Sequence, residues 1–342
     1  MMQDTTGMAT PKQSGFRMPA EWEHHTRSWM MWPARAGFWD DIAATKRDYA
    51  AVAHAIRAFE PVTMAVRPED AAEARSMLGG DIELAITPID DSWARDTGPC
   101  FVVDDRGTRA GVNFEFNAWG GKYHPHDKDN AFASYVLAQA NAPTFNSRLV
   151  AEGGGLSVDG EGTILTTKSC FPNINRNPDW SQDEIESELK EMLGGDKVIW
   201  LPGNPEEIET DGHVDGIAAF VAPGVVLIEA GDADSPWHAI NKANIQALEG
   251  QTDAKGRRIK LITIPEALEA EAAGDRFCRS YVNSYLVNGG VIMPQYGIRS
   301  DDLVRETFEA LFPDRTVRQV PIANIAIGGG GIHCITQQEP ST

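Results

Sequence analysis

Five short segments of the 342-residue chain share one pattern: polar or glycine-rich residues lead directly into an apolar run that reads as a strand. They are Asp96-Thr97-Gly98, Glu152-Gly153-Gly154, His213-Val214-Asp215-Gly216, Val282-Asn283-Ser284 and Gly331-Ile332-His333-Cys334. They recur at unequal intervals of roughly 50 to 70 residues, so five similar units with insertions between them are expected. A second turn follows each of the first four, at 104–107, 159–162, 223–224 and 288–290, and opens another extended run. Units set radially would turn all five strand starts toward one axis and gather carboxylates, an imidazole and a thiol in a single pocket.

Helical periodicity is expected over 39–60, 68–78, 129–140, 181–193, 237–251, 265–273 and 300–311. Ser181 with Glu184 three residues on is a capping box, and Pro265 suits a first helical turn. Short apolar runs at 62–66, 100–103, 162–166, 198–201, 217–221, 225–229, 260–264, 284–287 and 291–294 read as strands. Strands and helices alternate throughout, so the fold class is α/β. One catalytic domain over 16–342 is expected after a flexible tail at 1–15.

The formal net charge is −20, from 50 acidic and 30 basic residues, which repels nucleic acid and anionic membrane surfaces and attracts a small cation. The four cysteines, Cys100, Cys170, Cys278 and Cys334, are too few and too scattered for a disulfide scaffold, and no CxxC pair suggests zinc. With no secretory pattern at the start and no long apolar run, a cytoplasmic protein is expected.

Four consecutive glycines, Gly328 to Gly331, run up to Ile332, His333 and Cys334. Bare backbone of this kind marks a close approach, which makes Cys334 the candidate nucleophile; a tight turn carrying a small buried hydrophobe is the other reading. In an extended strand His213 and Asp215 would share one face, and a carboxylate beside an imidazole favours its charged form. His333 would point away from Cys334 and take a packing or supporting role. The stretch DDSWARDTGP sets Asp90, Asp91 and Asp96 beside Trp93, which suits a planar cation, or else a salt-bridged loop neutralised by Arg95. Glu152 adds a carboxylate at another strand start. His24-His25 and His124-x-His126 lack the partners of a metal site, and the glycine run lacks the layout of a phosphate cradle. Cys100, Cys170 and Cys278 are expected to be inert.

Taken in order, WMMWP, DDSWARDTGP, FNAWGGKY, EGGG, ETDGHVDG and GGGGIHCITQQEP closely resemble the agmatine deiminase family over nearly the whole chain. The resemblance implies the pentein fold, a five-bladed α/β propeller of ββαβ-type units around a central channel. It also implies hydrolysis of agmatine to N-carbamoylputrescine and ammonia, without metal or organic cofactor. Cys334 would be the nucleophile and His213 the general acid and base. Asp96 and Asp215 would grip the guanidinium, and Glu152 would orient His213. Trp93 and Glu209 would line the pocket, with Asp90 and Gly331 completing the substrate-binding set. Asn113-Phe114 departs from the Asp-Trp pair expected ahead of FNAWGG. The expected partner is a small cationic guanidine, and a homo-oligomer is left open. A deiminase of peptidyl-arginine and a noncatalytic polyamine binder are the alternatives; a cysteine peptidase would want its cysteine at the start of a helix.

Overall fold

The computed structural model describes residues 9–35, 37–231, 233–270 and 274–342. Its strands form five sheets that repeat one connection. In each, two strands pair antiparallel, a helix crosses over, and a third strand returns parallel to the second. The first sheet holds Cys100–Asp104, Arg109–Glu115 and Thr144–Val150; the second Ser157–Val158, Thr163–Thr167 and Lys197–Leu201. The third holds Ala218–Ala222, Val225–Glu229 and Lys260–Ile264; the fourth Tyr285–Val287, Gly290–Gln295 and Thr316–Pro321. The crossover helices are Phe132–Gln139, Gln182–Leu193, His238–Leu248 and Arg299–Leu311.

The fifth sheet is built from both ends of the chain. Thr336–Pro340 pairs antiparallel with His25–Met31, setting Gln337 opposite Trp29, and the helix Ile42–Arg57 then leads to Val62–Val66. Joining the first strands to the last closes the ring and removes a free seam between blades. Phe16–Arg17 extends the first sheet and Glu83–Ile86 the fifth.

Local chemistry supports these elements. Ser181 and Glu184 form the expected reciprocal cap, and Asp41 accepts from Ala44 N–H at the start of Ile42–Arg57. The helices lay apolar faces on the sheets, burying Tyr49, Val52 and Ile56 completely on one and Ile185 and Leu189 on another. Full burial of such a side chain contributes roughly 1.5–3 kcal/mol.

Three expectations change. Within 265–273, residues 265–270 are not helical and 271–273 lie outside the described residues. Ala267 N–H instead donates to Arg279 C=O and Glu266 is buried, so tertiary contacts override local helix propensity. His213 and Asp215 do not share the face of a strand. His213 precedes a 3-10 turn, Val214–Gly216, and Asp215 lies within it. The five polar anchors stand in tight turns one step ahead of the first strand of each sheet rather than on the strands themselves. Of the expected tail, residues 1–8 lie outside the described residues, while Thr10 Oγ1 donates to Glu191 and Lys12 Nζ to Gly195 C=O. No helix among the described residues is long and apolar enough to cross a membrane.

Candidate active site

The turns that precede the five sheets converge, bringing Asp96, Glu152, His213, Asp215, Asn283 and Cys334 together, all buried. Close approach is built into the glycines. A Cβ on Gly154 would lie 2.6 Å from His213 Nδ1, 2.8 Å from an Asp96 oxygen and 3.1 Å from an Asp215 oxygen, and one on Gly330 would meet the Trp93 ring at 2.4 Å.

Cys334 is held from several sides. Asn283 Nδ2 donates to its sulfur at 3.1 Å, Asn283 Oδ1 accepts from its backbone N–H at 3.3 Å, and the sulfur lies 3.5 Å from Asp215 Oδ2. Burial lifts the thiol well above its ordinary range, the charges of Asp215 and Asp96 add to the shift, and the Gly331 N–H opposes it. The thiol is therefore held neutral at neutral pH. Alkylation of Cys334 by iodoacetamide is expected to be slow near pH 7 and to be climbing still at about pH 9, because the thiolate is the reactive form. A rate plateau reached below about pH 8, followed by mass spectrometry of the Cys334 peptide, contradicts this resting state.

His213 faces two carboxylates. Its Nδ1 lies 3.7 Å from Asp96 Oδ1 and its Nε2 3.6 Å from Glu152 Oε2. Burial alone would discharge the imidazole, but the negative charge of Asp96, with Cys170 and Glu152 close by, outweighs it and raises its pKa well above the ordinary value. Glu152 is fully buried and bonded to Arg176 Nε at 2.6 Å. Desolvation pushes its carboxyl up, yet Arg176 and His213 together bring it down to about 2. Arg176 also reaches Asp211 Oδ2 at 2.6 Å and Thr210 C=O at 3.1 Å, tying the segment before His213 to Glu152.

Asp96 Oδ1 accepts from Gly154 N–H and its Oδ2 from Trp119 Nε1, both at 2.9 Å. Burial raises its pKa, against the charge of His213. Asp215 keeps its charge. Burial opposes this, but His333 donates from Nδ1 at 2.8 Å and lowers its pKa, helped by His213 and Arg95. His333 Nε2 contacts Glu21 Oε2 at 2.8 Å, so the imidazole bridges Asp215 and Glu21.

Above Cys334 opens a narrow cavity walled by Phe38, Trp93, Trp119 and Tyr123, with Asp96, Glu209, Thr210 and the backbone of Gly328 to Gly330 completing its lining. Trp93 and Trp119 meet edge to face at 6.4 Å. Trp119 adopts φ 53°, ψ 41°, a left-handed conformation that is strained for a bulky residue. Asn117 Oδ1 accepts from Gly120 N–H at 2.8 Å and holds that turn. Glu209 accepts from Tyr123 OH at 2.5 Å and lies 3.9 Å from Arg276 Nε.

Of the expected site residues, Asp96, Trp93, Glu209 and Cys334 line this cavity, while Glu152, His213 and Asp215 pack behind it. Two fall elsewhere. Asp90 is not among the lining residues; it accepts from Lys128 N–H at 3.0 Å and lies 3.4 Å from Lys128 Nζ, because the turn sends Asp90 and Trp93 to different sides. Gly331 does not line the cavity either, being packed against Asn283 with its N–H toward Cys334. Sequence reasoning missed Arg176, Glu21, Trp119, Tyr123 and Phe38. Asn283 stood at the fourth anchor of the repeat, a position that could have nominated it.

A buried thiol, an imidazolium and a set of carboxylates beneath an aromatic cavity define the class: a cysteine-dependent hydrolase site shaped for a planar cation. The chain belongs to the Porphyromonas-type peptidyl-arginine deiminase family, whose model matches residues 17–340. It is 42% identical to the agmatine deiminase of Stutzerimonas stutzeri, over 98% of this chain and 99% of that one. It is 41% identical to the agmatine deiminase of Pseudomonas aeruginosa, over 97% and 98%. The agmatine deiminase structure of Enterococcus faecalis superposes with a TM-score of 0.95 at 36% identity, covering 98% of both chains.

Proposed function

We propose that this protein hydrolyses agmatine to N-carbamoylputrescine and ammonia, with Cys334 as nucleophile and His213 as general acid and base. One observation carries the reading: Cys334 lies at the floor of an aromatic cavity, with Asp96 in its lining and Asp215 3.5 Å from the sulfur. The relatives named as agmatine deiminases, matched over nearly their whole length, support the same substrate.

A guanidinium carbon is a poor electrophile because its charge is delocalised, so the catalyst has to hold it in line with a soft nucleophile. The guanidinium bridges Asp96 and Asp215, as a planar cation does between carboxylates. Its positive charge offsets the two carboxylates that hold the thiol neutral, and with the His213 imidazolium it favours the thiolate. The Cys334 thiol gives its proton to solvent and the sulfur adds to the guanidinium carbon, giving a tetrahedral adduct. His213 transfers a proton to one terminal nitrogen, the C–N bond breaks, and ammonia leaves an amidino-thioether on Cys334. Neutral His213 then takes a proton from water, hydroxide adds to the same carbon, and the C–S bond breaks to release the ureido product and the thiol. Glu152 holds the imidazole through both half-reactions.

The far end of agmatine is an ammonium with no carboxylate. The aromatic walls and Glu209 suit it, since a cation gains from ring faces and from a carboxylate. Free arginine would bring a carboxylate to Glu209 and be repelled.

The test is to incubate purified protein with agmatine, arginine and an arginine-terminated peptide in reducing buffer, measuring ammonia and ureido product. Turnover of agmatine at least about 100-fold above arginine, some 3 kcal/mol in kcat/KM, is expected. Equal or faster turnover of the peptide moves the substrate to peptidyl-arginine, and no ammonia from any of the three overturns the deiminase reading.

A further inference from the structure

Behind His213, on the side away from the cavity, lies a donor set that the deiminase chemistry leaves only partly used. Glu152 Oε2 is 3.6 Å from His213 Nε2 and 3.9 Å from Cys170 Sγ. All three ligand atoms lie within 4.8 Å of one another, and among the described residues this is the one group of His, Cys, Asp and Glu close enough to share an ion. Both ring nitrogens of His213, a side chain 97% buried, lack a hydrogen-bond partner among the described residues. Arg176 occupies Glu152 Oε1 and leaves Oε2 turned toward Cys170 and His213.

We propose that Glu152, Cys170 and His213 form a trap for a thiophilic divalent cation of the zinc class, which inhibits the enzyme by occupying His213 Nε2. The donor set of one thiolate, one imidazole and one carboxylate is what zinc accepts, with water in the fourth position. Zinc bonds of about 2.0–2.3 Å put neighbouring tetrahedral ligand atoms about 3.3–3.6 Å apart, so the two separations from Glu152, 3.6 and 3.9 Å, close by a few tenths of an ångström, and the Cys170–His213 pair, within 4.8 Å, closes by up to about an ångström through rotation of the Cys170 side chain. Binding is redox-neutral. The Cys170 thiol and the His213 imidazolium each release a proton to solvent, and Nε2 and the sulfur each donate an electron pair to the metal. A metallated His213 can no longer carry the positive charge that draws a thiolate from Cys334 or protonate the leaving nitrogen. The nucleophile Cys334 is not a ligand of this site. The inhibitory consequence rests on the role proposed for His213; binding of the ion does not.

Cobalt(II) is the probe, because its bond to a thiolate gives a near-ultraviolet charge-transfer absorption that zinc lacks. In Cys334→Ser protein, added cobalt is expected to give this band, and the double variant Cys334→Ser, Cys170→Ser is expected to lose it. A band that persists in the double variant, or one present in the unsubstituted protein and absent from Cys334→Ser, overturns the site. X-ray absorption of zinc bound to Cys334→Ser protein needs no Cys170 variant; one sulfur ligand with imidazole scattering is expected, and a shell of nitrogen and oxygen alone overturns the proposal. In activity, the zinc concentration for half-inhibition is expected to rise at least about tenfold in Cys170→Ser, each protein read against its own zinc-free rate. An unchanged value overturns the inhibitory role, while the cobalt band reports the site whatever the substrate proves to be.

Discussion

Replacing Cys334 with alanine is expected to lower ammonia release from agmatine by at least about 10⁴-fold, since removal of a nucleophile in an interdependent catalytic set costs nearly the whole rate enhancement. Agmatine is still expected to bind. The carboxylates of Asp96 and Asp215 and the aromatic walls do not depend on the sulfur, and alanine fits where Asn283 and the glycine backbone already pack closely. Calorimetric titration of Cys334→Ala with agmatine reads the binding, and a coupled ammonia assay reads the turnover. Activity within about tenfold of the starting protein means another group attacks the substrate.

The second large effect lies outside the cavity. Arg176 and Glu152 form an ion pair with no side-chain exposure on either partner. Arg176→Met is expected to destabilise the fold by about 3–5 kcal/mol, since it leaves a buried carboxylate without its counter-charge. For a chain of this length that lowers the thermal midpoint by roughly 5 °C. Turnover is expected to fall as well, because Arg176 also holds Asp211 and Thr210, the residues leading into His213. Adding Glu152→Gln to Arg176→Met is expected to recover part of the midpoint without recovering turnover. An unchanged midpoint in Arg176→Met, by scanning calorimetry, contradicts the weight placed on this pair.

The repeat was legible because each unit begins with a polar, glycine-bounded turn before an apolar strand. Those turns are where backbone approaches backbone, and the residue types there are restricted by space, as the contacts of Gly154 and Gly330 illustrate. Strands with apolar runs, such as Val225–Glu229 and Lys260–Ile264, could be placed to the residue. The closing strand Thr336–Pro340 could not. Its sequence, TQQEP, carries no apolar alternation, yet every residue is buried through polar pairings: Glu339 with Trp29 and Arg109, and Gln337 with Pro99 C=O. Strand reading by hydrophobic period has no purchase on such a segment.

The candidate site divides in the same way. Cys334, His213, Asp96, Asp215 and Glu152 stood at repeat anchors and within distinctive motifs, so residue type and position nominated them together. Arg176 stands in a polar loop with no periodicity. That a buried Glu152 requires a cation follows from charge, but 30 lysines and arginines compete for the role and only the fold chooses among them. Phe38 and Tyr123 reach the cavity from different turns and pack against each other at 5.4 Å, a contact no local pattern encodes. Asp90 was nominated by its neighbours in DDSWARDTGP, and the turn that aims Trp93 at the cavity carries Asp90 to Lys128.

The most direct measurement is of the covalent intermediate. Protein mixed with agmatine and quenched in acid within a turnover, then digested and mapped by mass spectrometry, is expected to carry agmatine less one ammonia on the peptide containing Cys334, and on none containing Cys100, Cys170 or Cys278. Rapid turnover with Cys334 unmodified at every quench time, or the adduct on another cysteine, would contradict nucleophilic attack by Cys334.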